Sequence, residues 1–307
     1  MQRAVVLYAA MCVCASATAS ADEFWKFWGD GKAELDGYAL VMPRYGQLRE
    51  GTAVAIFVTE DFSESARVKA DPGKHPASDV TPVMKLNLVR DFQTGIYDYN
   101  TMTSTFSRTE FGAGDDWPLE KASFSSQEWC GNVYMQWLPR DGKLHGTVHS
   151  YFDGEGDATP ELDQPAGGVV EDALPLLVRG LRGDWLAPGA SKKVPFLRSL
   201  MRTRLLHVPA RWGEATVSRA AAPAEVKTAL GTMRATVYTV AETGGDTVAY
   251  TVEAAWPHRL LAWKSSSGES ARILGSARLE YWKMHDNGGE KALKLLGLVP
   301  QSVPPKK

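Results

Sequence analysis

Cys130 is the first residue of this 307-residue chain to weigh for chemistry, because the other two cysteines, Cys12 and Cys14, lie in an N-terminal apolar segment. A cysteine nucleophile needs a base, and a cation or helix N-terminus to hold its thiolate at neutral pH. His145 and His149 are the bases that a Cys130-dependent hydrolase or transferase would use. The surrounding string SFSSQEWCGNVY alternates like a strand, with Glu128, Cys130 and Asn132 on one face and Gln127, Trp129 and Val133 on the other. No helix start follows Cys130, a charged Glu128 on its face would raise the thiol pKa, and free cysteine is usually buried. The expectation is a buried, unreactive Cys130 and no catalytic residue.

His145 and His149 have the H-x3-H spacing that binds zinc on a helix, but their segment, Leu144 to Phe152, alternates like a strand. Four residues along a strand set the rings ~13 Å apart. Two ligands at ~2 Å from one zinc do not reach that far, so neither a metal nor another cofactor is expected. The face that carries them is the better candidate. His145, Thr147, His149 and Tyr151 line one side of their strand, as Tyr97, Tyr99, Thr101, Thr103 and Thr105 line another. Such hydrogen-bonding, amphipathic faces suit a cavity wall, although threonine and tyrosine are also ordinary residues of a half-exposed sheet. Tyr97, Tyr99, Thr101, Glu128, His145, His149 and Tyr151 are the ligand-binding candidates. The segments 95–106, 122–137 and 143–152 should form one meander that turns the tyrosine and histidine faces to the same side.

Other motifs carry less. Asp153-Gly154-Glu155-Gly156-Asp157 starts like a calcium loop, yet Ala158 replaces the glycine at the sixth position and Gln164 the glutamate at the twelfth. A solvated acidic loop is the expectation. The aromatic run Phe24 to Trp28 should pack over a sheet edge or core. No P-loop, G-x-S-x-G, G-x-G-x-x-G or H-E-x-x-H occurs.

The elements that must position these residues are strands. Period-two alternation, broken by Gly, Pro, Asn and Asp, recurs at 33–42, 52–59, 82–90, 95–106, 122–137, 143–152, 202–208, 214–220, 232–241, 247–256 and 271–282. Pro139-Arg140-Asp141-Gly142 and Gly244-Gly245-Asp246 supply turn chemistry between neighbours. The fold class is therefore mainly β: antiparallel curved sheet, half-barrel or open-barrel-like. One principal helix is expected near 171–182, where Leu174, Leu177, Val178 and Leu181 follow helical spacing, with Asp172 as N-cap and Pro175 in the first turn. The Gly- and Pro-rich acidic stretch 153–168 marks the expected boundary between an N-terminal β region, 22–165, and a helix plus C-terminal sheet, 166–286. A tail, 287–307, follows, with a weak helical pattern over Glu290 to Leu298.

The first 21 residues read as an export signal: Arg3, an apolar run from Ala4 to Ala17, and Ala19-Ser20-Ala21 before the charged Asp22-Glu23. Cleavage after Ala21 would leave 286 residues with 33 basic and 36 acidic side chains. That near-neutral balance offers no footprint for nucleic acid, and no second apolar stretch is long enough for a membrane span. The expected location is the periplasm or the exterior, which excludes most ATP- and NAD-dependent roles.

Several blocks, FWGDGKAELDGYAL, RYGQLREGTAVAIFVTEDF, KLNLVRDFQTGIYDYNTMTSTF and SSQEWCGNVYMQW, resemble those of a family of exported bacterial β-rich proteins of unknown function, some of them labelled septum formation inhibitors. The last third, with VKTALGTMRATVYTV, YTVEAAWPHRLLAWKSSSG and ARLEYW, is similar to periplasmic curved-sheet domains of unknown function, loosely like lipoprotein-carrier half-barrels. The resemblance implies a fold and no reaction. The function expected is non-catalytic binding of a lipid, another apolar or amphipathic small molecule, or an envelope protein. Ten tryptophans suit such a surface. A structural partner in envelope assembly would instead show an exposed apolar patch and no concave pocket.

Overall fold

The structure, a computed structural model, describes residues 21–109 and 118–300. The export segment before Ala21 and the Pro304–Lys307 end lie outside the described residues. Among the described residues, short β-branched and aromatic runs separated by turns give eighteen strands in one sheet, mostly antiparallel and not closed into a barrel. They are β1 (Ala33–Arg44), β2 (Gln47–Ser63), β3 (Val68–Lys69), β4 (Val80–Thr94), β5 (Tyr97–Arg108), β6 (Leu119–Glu128), β7 (Gly131–Arg140), β8 (Lys143–Ser150) and β9 (Asp157–Ala158) in the first half. The second half holds β10 (Glu161–Asp163), β11 (Val169–Val170), β12 (Ser191–Leu197), β13 (Trp212–Arg219), β14 (Ala224–Thr228), β15 (Gly231–Glu242), β16 (Thr247–Glu253), β17 (Leu260–Ser265) and β18 (Ser270–Leu279).

Hydrogen-bonded pairing runs β11-β12-β13-β15-β16-β17-β18-β1-β2-β4-β5-β6-β7-β8. β9 and β10 both add to the outer edge of β8, and among the named strands of the described residues only β11–β12 pair in parallel. The stretch 153–168 is thus partly paired rather than a free linker. β1 lies between β2 and β18, so the 22–165 and 166–286 regions share one continuous sheet.

One face of the sheet is apolar, and it curves around an insert. A helical turn, Glu171–Ala173, leads directly into α2 (Leu174–Leu177), whose four residues are all buried. A helix apolar on every side belongs in a core. The expected helix over 171–182 is therefore present only in its first half. It stops because Gly180 takes φ +57°, a conformation that favours glycine and ends helices. α1 (Ala21–Trp28) adds Phe24 and Trp28 to the same core, so the aromatic start packs inward at those two positions.

Two local expectations need correction. Residues 202–208 are not a strand: α3 (Leu200–Leu206) forms there. Ser199 Oγ caps it by accepting from the Arg202 N–H at 3.2 Å, and His207 closes it at φ +52°. The 122–137 segment is two strands, because Trp129 and Cys130 form the turn between β6 and β7.

The outer face carries a second, smaller core. Residues Gly289–Leu296 form a 3-10 run that lays Leu293 and Leu296 over Leu35, Val58 and Ala277. Gly37 and Gly275 are direct partners across β1 and β18. A Cβ at either would collide with the backbone of Leu296 or Leu295, so this glycine pair is the notch that seats the strap.

Candidate functional site

The sheet's inward row across eight strands reads Tyr238, Tyr250, Trp263, Ala271, Leu40, Gly51, Phe92, Tyr99. Its flanks are large and its centre smaller, and β2 adds Ala53 and Ala55 to the same face. Space is left over the centre, roofed by α3. The result is a cavity of about 290 Å³, lined by β1, β4, β5, β16 and β17 on one side and by Pro175, Met201 and Leu205 on the other.

The cavity is graded along the strands. Its inner part is mostly apolar, with Leu86, Leu88, Pro175 and Leu260, and also takes in Thr103, the cross-strand partner of Leu88, and Asp172. Its outer part lies beside the hairpin turns and is polar, with Asp246, Ser265, Ser267 and Glu269. Arg90 stands between the two. Its Nε donates to Glu269 Oε1 at 3.1 Å, the same oxygen that accepts from Trp263 Nε1 at 2.8 Å. Its side chain is 10 % exposed.

The roof is fastened at both ends. At the start of α3, the Ser199 N–H donates to Glu171 Oε2 at 2.9 Å and the Leu200 N–H to Asp172 Oδ2 at 3.0 Å. Arg202 ties the same end to Glu171 and Glu242, at 2.8 Å each. At the other end Arg44 Nη1 donates to the Leu205 carbonyl, and His207 Nδ1 lies 2.7 Å from Glu155 Oε1. Asp172 is thus a cap, as its type suggested, but of α3 rather than of the helix that follows it. Burial raises its carboxyl to about 7, against the pull of the Leu200 N–H. Burial also raises Glu171, against the Arg202 charge.

Exposed apolar side chains extend from one side of the open end. Tyr45, Leu48, Ile96, Trp129, Tyr151 and Leu206 are all more than half exposed. All but Leu206 lie at or beside hairpin turns and strand ends on the Tyr45 side of the sheet, and Leu206 lines the cavity together with Tyr45. The Tyr45 hydroxyl is 2.7 Å from that of Tyr99, and the Tyr97 and Trp129 rings are 6.2 Å apart.

Of the residues expected from sequence, Tyr97 and Tyr99 reach this end of the molecule, while Thr101 is buried on the inward face beside Arg90. The histidines do not join them. Thr101 pairs with Ser126, Ser126 with Val133 and Val133 with Ser150, so the inward face of β8 carries Leu144, Gly146, Val148 and Ser150. His145 and His149 point to the opposite side, and the expected common wall does not exist. Parity decides this: a shift of one residue flips every side chain, and buried Leu144 takes the inward position. His149 Nδ1 sits 3.0 Å from Asp157, and His145 Nδ1 3.0 Å from Glu161. Tyr151 lies past the strand end, its ring against Gly131. Among the described residues, no group of three or more His, Cys, Asp or Glu could hold a metal ion.

Cys130 is exposed, not buried. Its N–H donates to Glu128 Oε2 at 2.9 Å, and the hydrogen bond to Glu128 raises its thiol above the ordinary range. Iodoacetamide should therefore label the folded protein more slowly at pH 7 than it labels free cysteine. Glu128→Gln should speed the reaction, and Cys130→Ser should leave the melting temperature unchanged. Labelling at pH 7 as fast as that of a low-pKa thiol would contradict the geometry.

Arg90, Glu269, Trp263, Tyr250 and Met201 escaped the sequence reading. Each lies on a strand or helix whose alternation gave only burial, and no local motif links them. Comparison with protein-family models, curated proteins and solved structures finds no match for this chain. No helix among the described residues is long and apolar enough to cross a membrane.

Proposed function

We propose that this chain is an exported, non-catalytic binding protein that holds an apolar or amphipathic molecule between its curved sheet and α3. The graded cavity is the observation that carries this reading: a half-open volume of about 290 Å³ with a mostly apolar inner part and convergent polar groups near its mouth. The exposed apolar side chains on one side of the open end support exchange of the ligand with an apolar surface or a protein of the envelope. Cys130 finds no histidine hydrogen-bonded to it among the described residues, so the thiol-enzyme alternative gains no support from the site.

The test is mass spectrometry of small molecules that stay with the protein purified from its native envelope. A co-purifying amphiphile is expected. Leu88→Trp or Met201→Trp, which place an indole in the cavity from opposite walls, should each reduce its occupancy at least tenfold, about 1.4 kcal/mol, while both variants stay folded. Unchanged occupancy in two folded variants would move the ligand elsewhere.

A further inference from the structure

The polarity of the cavity says more about its occupant than its volume does. On β4 the inward residues run Leu86, Leu88, Arg90, Phe92 towards the open end, so a charged group follows directly on the apolar floor. Arg90 reaches across the concave face to Glu269, which immediately precedes β18. Ala53, opposite Arg90 on β2, is too small to interfere.

A guanidinium has five N–H donors in a planar fork. Arg90 spends only Nε on Glu269. Among the described residues, neither Nη atom has a hydrogen-bond partner, although the side chain is nine-tenths buried on the cavity wall. Neither is sealed away from solvent without a partner, as Arg67 Nε and Arg219 Nε are, so the two donors open onto the cavity. Water alone is a poor substitute for an anion there, because a fork of parallel donors matches a carboxylate or phosphate bidentately.

The other charges leave this fork as the available one. Arg202 is covered by Glu171, Glu242 and Asp246. Glu171 takes Arg202 and the Ser199 N–H, and Asp172 takes the Leu200 N–H. Glu269 is held by Arg90 and Trp263. Arg44, at the mouth, donates to Tyr99, Tyr45 and the Leu205 carbonyl and has no carboxylate partner among the described residues. Arg44 therefore stands on the approach to Arg90 as a cation whose charge no carboxylate among the described residues covers.

Resting on the cavity reading above, we infer that the ligand is a single-chain amphiphile with a carboxylate or phosphate head: the chain lies inward over Leu86, Leu88 and Leu260, and the head takes the two Nη donors of Arg90. The ligand then follows the cavity from its mostly apolar floor to its polar mouth, and the Arg90–Glu269 pair persists because its Nε bond is not displaced.

Four probes distinguish the outcomes: dodecanoate, dodecyl phosphate, methyl dodecanoate and dodecyltrimethylammonium, titrated calorimetrically into the folded protein below their micellar concentrations. One or both anions should bind at least tenfold more tightly than the ester and the cation, and the tighter of the two identifies the head as carboxylate or phosphate. Arg90→Gln should abolish that preference, bringing the affinity for the anions down to about that for the ester. Arg90→Lys, which keeps charge without the fork, should recover part of it. Since Arg90→Gln leaves Glu269 without its cation, Arg90→Gln combined with Glu269→Gln serves as the second variant, with the same expected loss. Equal binding of ester and anion, insensitive to Arg90, overturns the head-group assignment while the cavity reading stands. If no probe binds and Leu88→Trp changes no retained molecule, both fail.

Discussion

An Arg179→Met variant should be less stable than the parent by about 3–5 kcal/mol, the range for removing one partner of a buried ion pair. Arg179 follows α2, and its side chain is fully buried. Nη1 pairs with Glu34 at 2.7 Å, Nε donates to the His258 carbonyl and Nη2 to that of Pro257, both at 2.9 Å. The guanidinium also stacks over Phe57, 4.1 Å from the ring centroid. One side chain therefore joins the insert to β1, β2 and the turn before β17. Methionine fills much of the volume but leaves the buried Glu34 without a cation, next to Asp36, whose carboxyl burial already raises well above its usual range. Glu34→Gln combined with Arg179→Met should recover part of the loss, because the unpaired charge goes too. Urea melts of the two single variants, the double variant and the parent measure both effects. A loss below about 1 kcal/mol for Arg179→Met would show that the guanidinium does not clamp the insert.

Asp172→Asn should stabilise the protein at pH 8 and change little at pH 4. Burial raises the Asp172 carboxyl from 3.8 to about 7, so the folded chain holds that proton more tightly than the unfolded one. The stability it contributes is full below the unfolded value and is lost as pH rises through about 7. Three pH units correspond to about 4 kcal/mol as an upper bound. Asparagine removes this loss and keeps an oxygen for the Leu200 N–H, so the cap of α3 survives. Glu171 is raised in the same sense and continues to titrate in the variant. Denaturation at pH 4 and pH 8 should show the gap between variant and parent opening with pH. A gap that is the same at both values would mean that the Asp172 carboxyl titrates alike in the folded and unfolded chains.

The architecture was largely legible in the sequence because alternation with period two is a local property, and turn residues such as Asp141-Gly142 declare themselves. The structure places Asp141 at φ +52° and Gly142 at φ +74°, which those residue types tolerate. Asp172 shows where legibility ends. Its type promised a helix cap, and it is one, yet it caps α3, whose first residue lies 28 positions further on. The segment 202–208 alternates enough to read as a strand. What makes it a helix is the Ser199 cap together with two carboxylates from elsewhere in the chain.

By itself the sequence determined that this chain forms antiparallel sheet, where most of its strands lie, and that Glu128 would raise the thiol of Cys130. Each follows from neighbours a few residues apart. Only the tertiary structure decided which face of β8 looks inward, since side-chain parity passes from strand to strand through turns and pairings that no single segment encodes. It likewise decided the cavity. Arg90 and Glu269 are 179 positions apart in the chain, and they meet only because β2, β1 and β18 bring β4 and the β17–β18 turn to opposite sides of one curved surface.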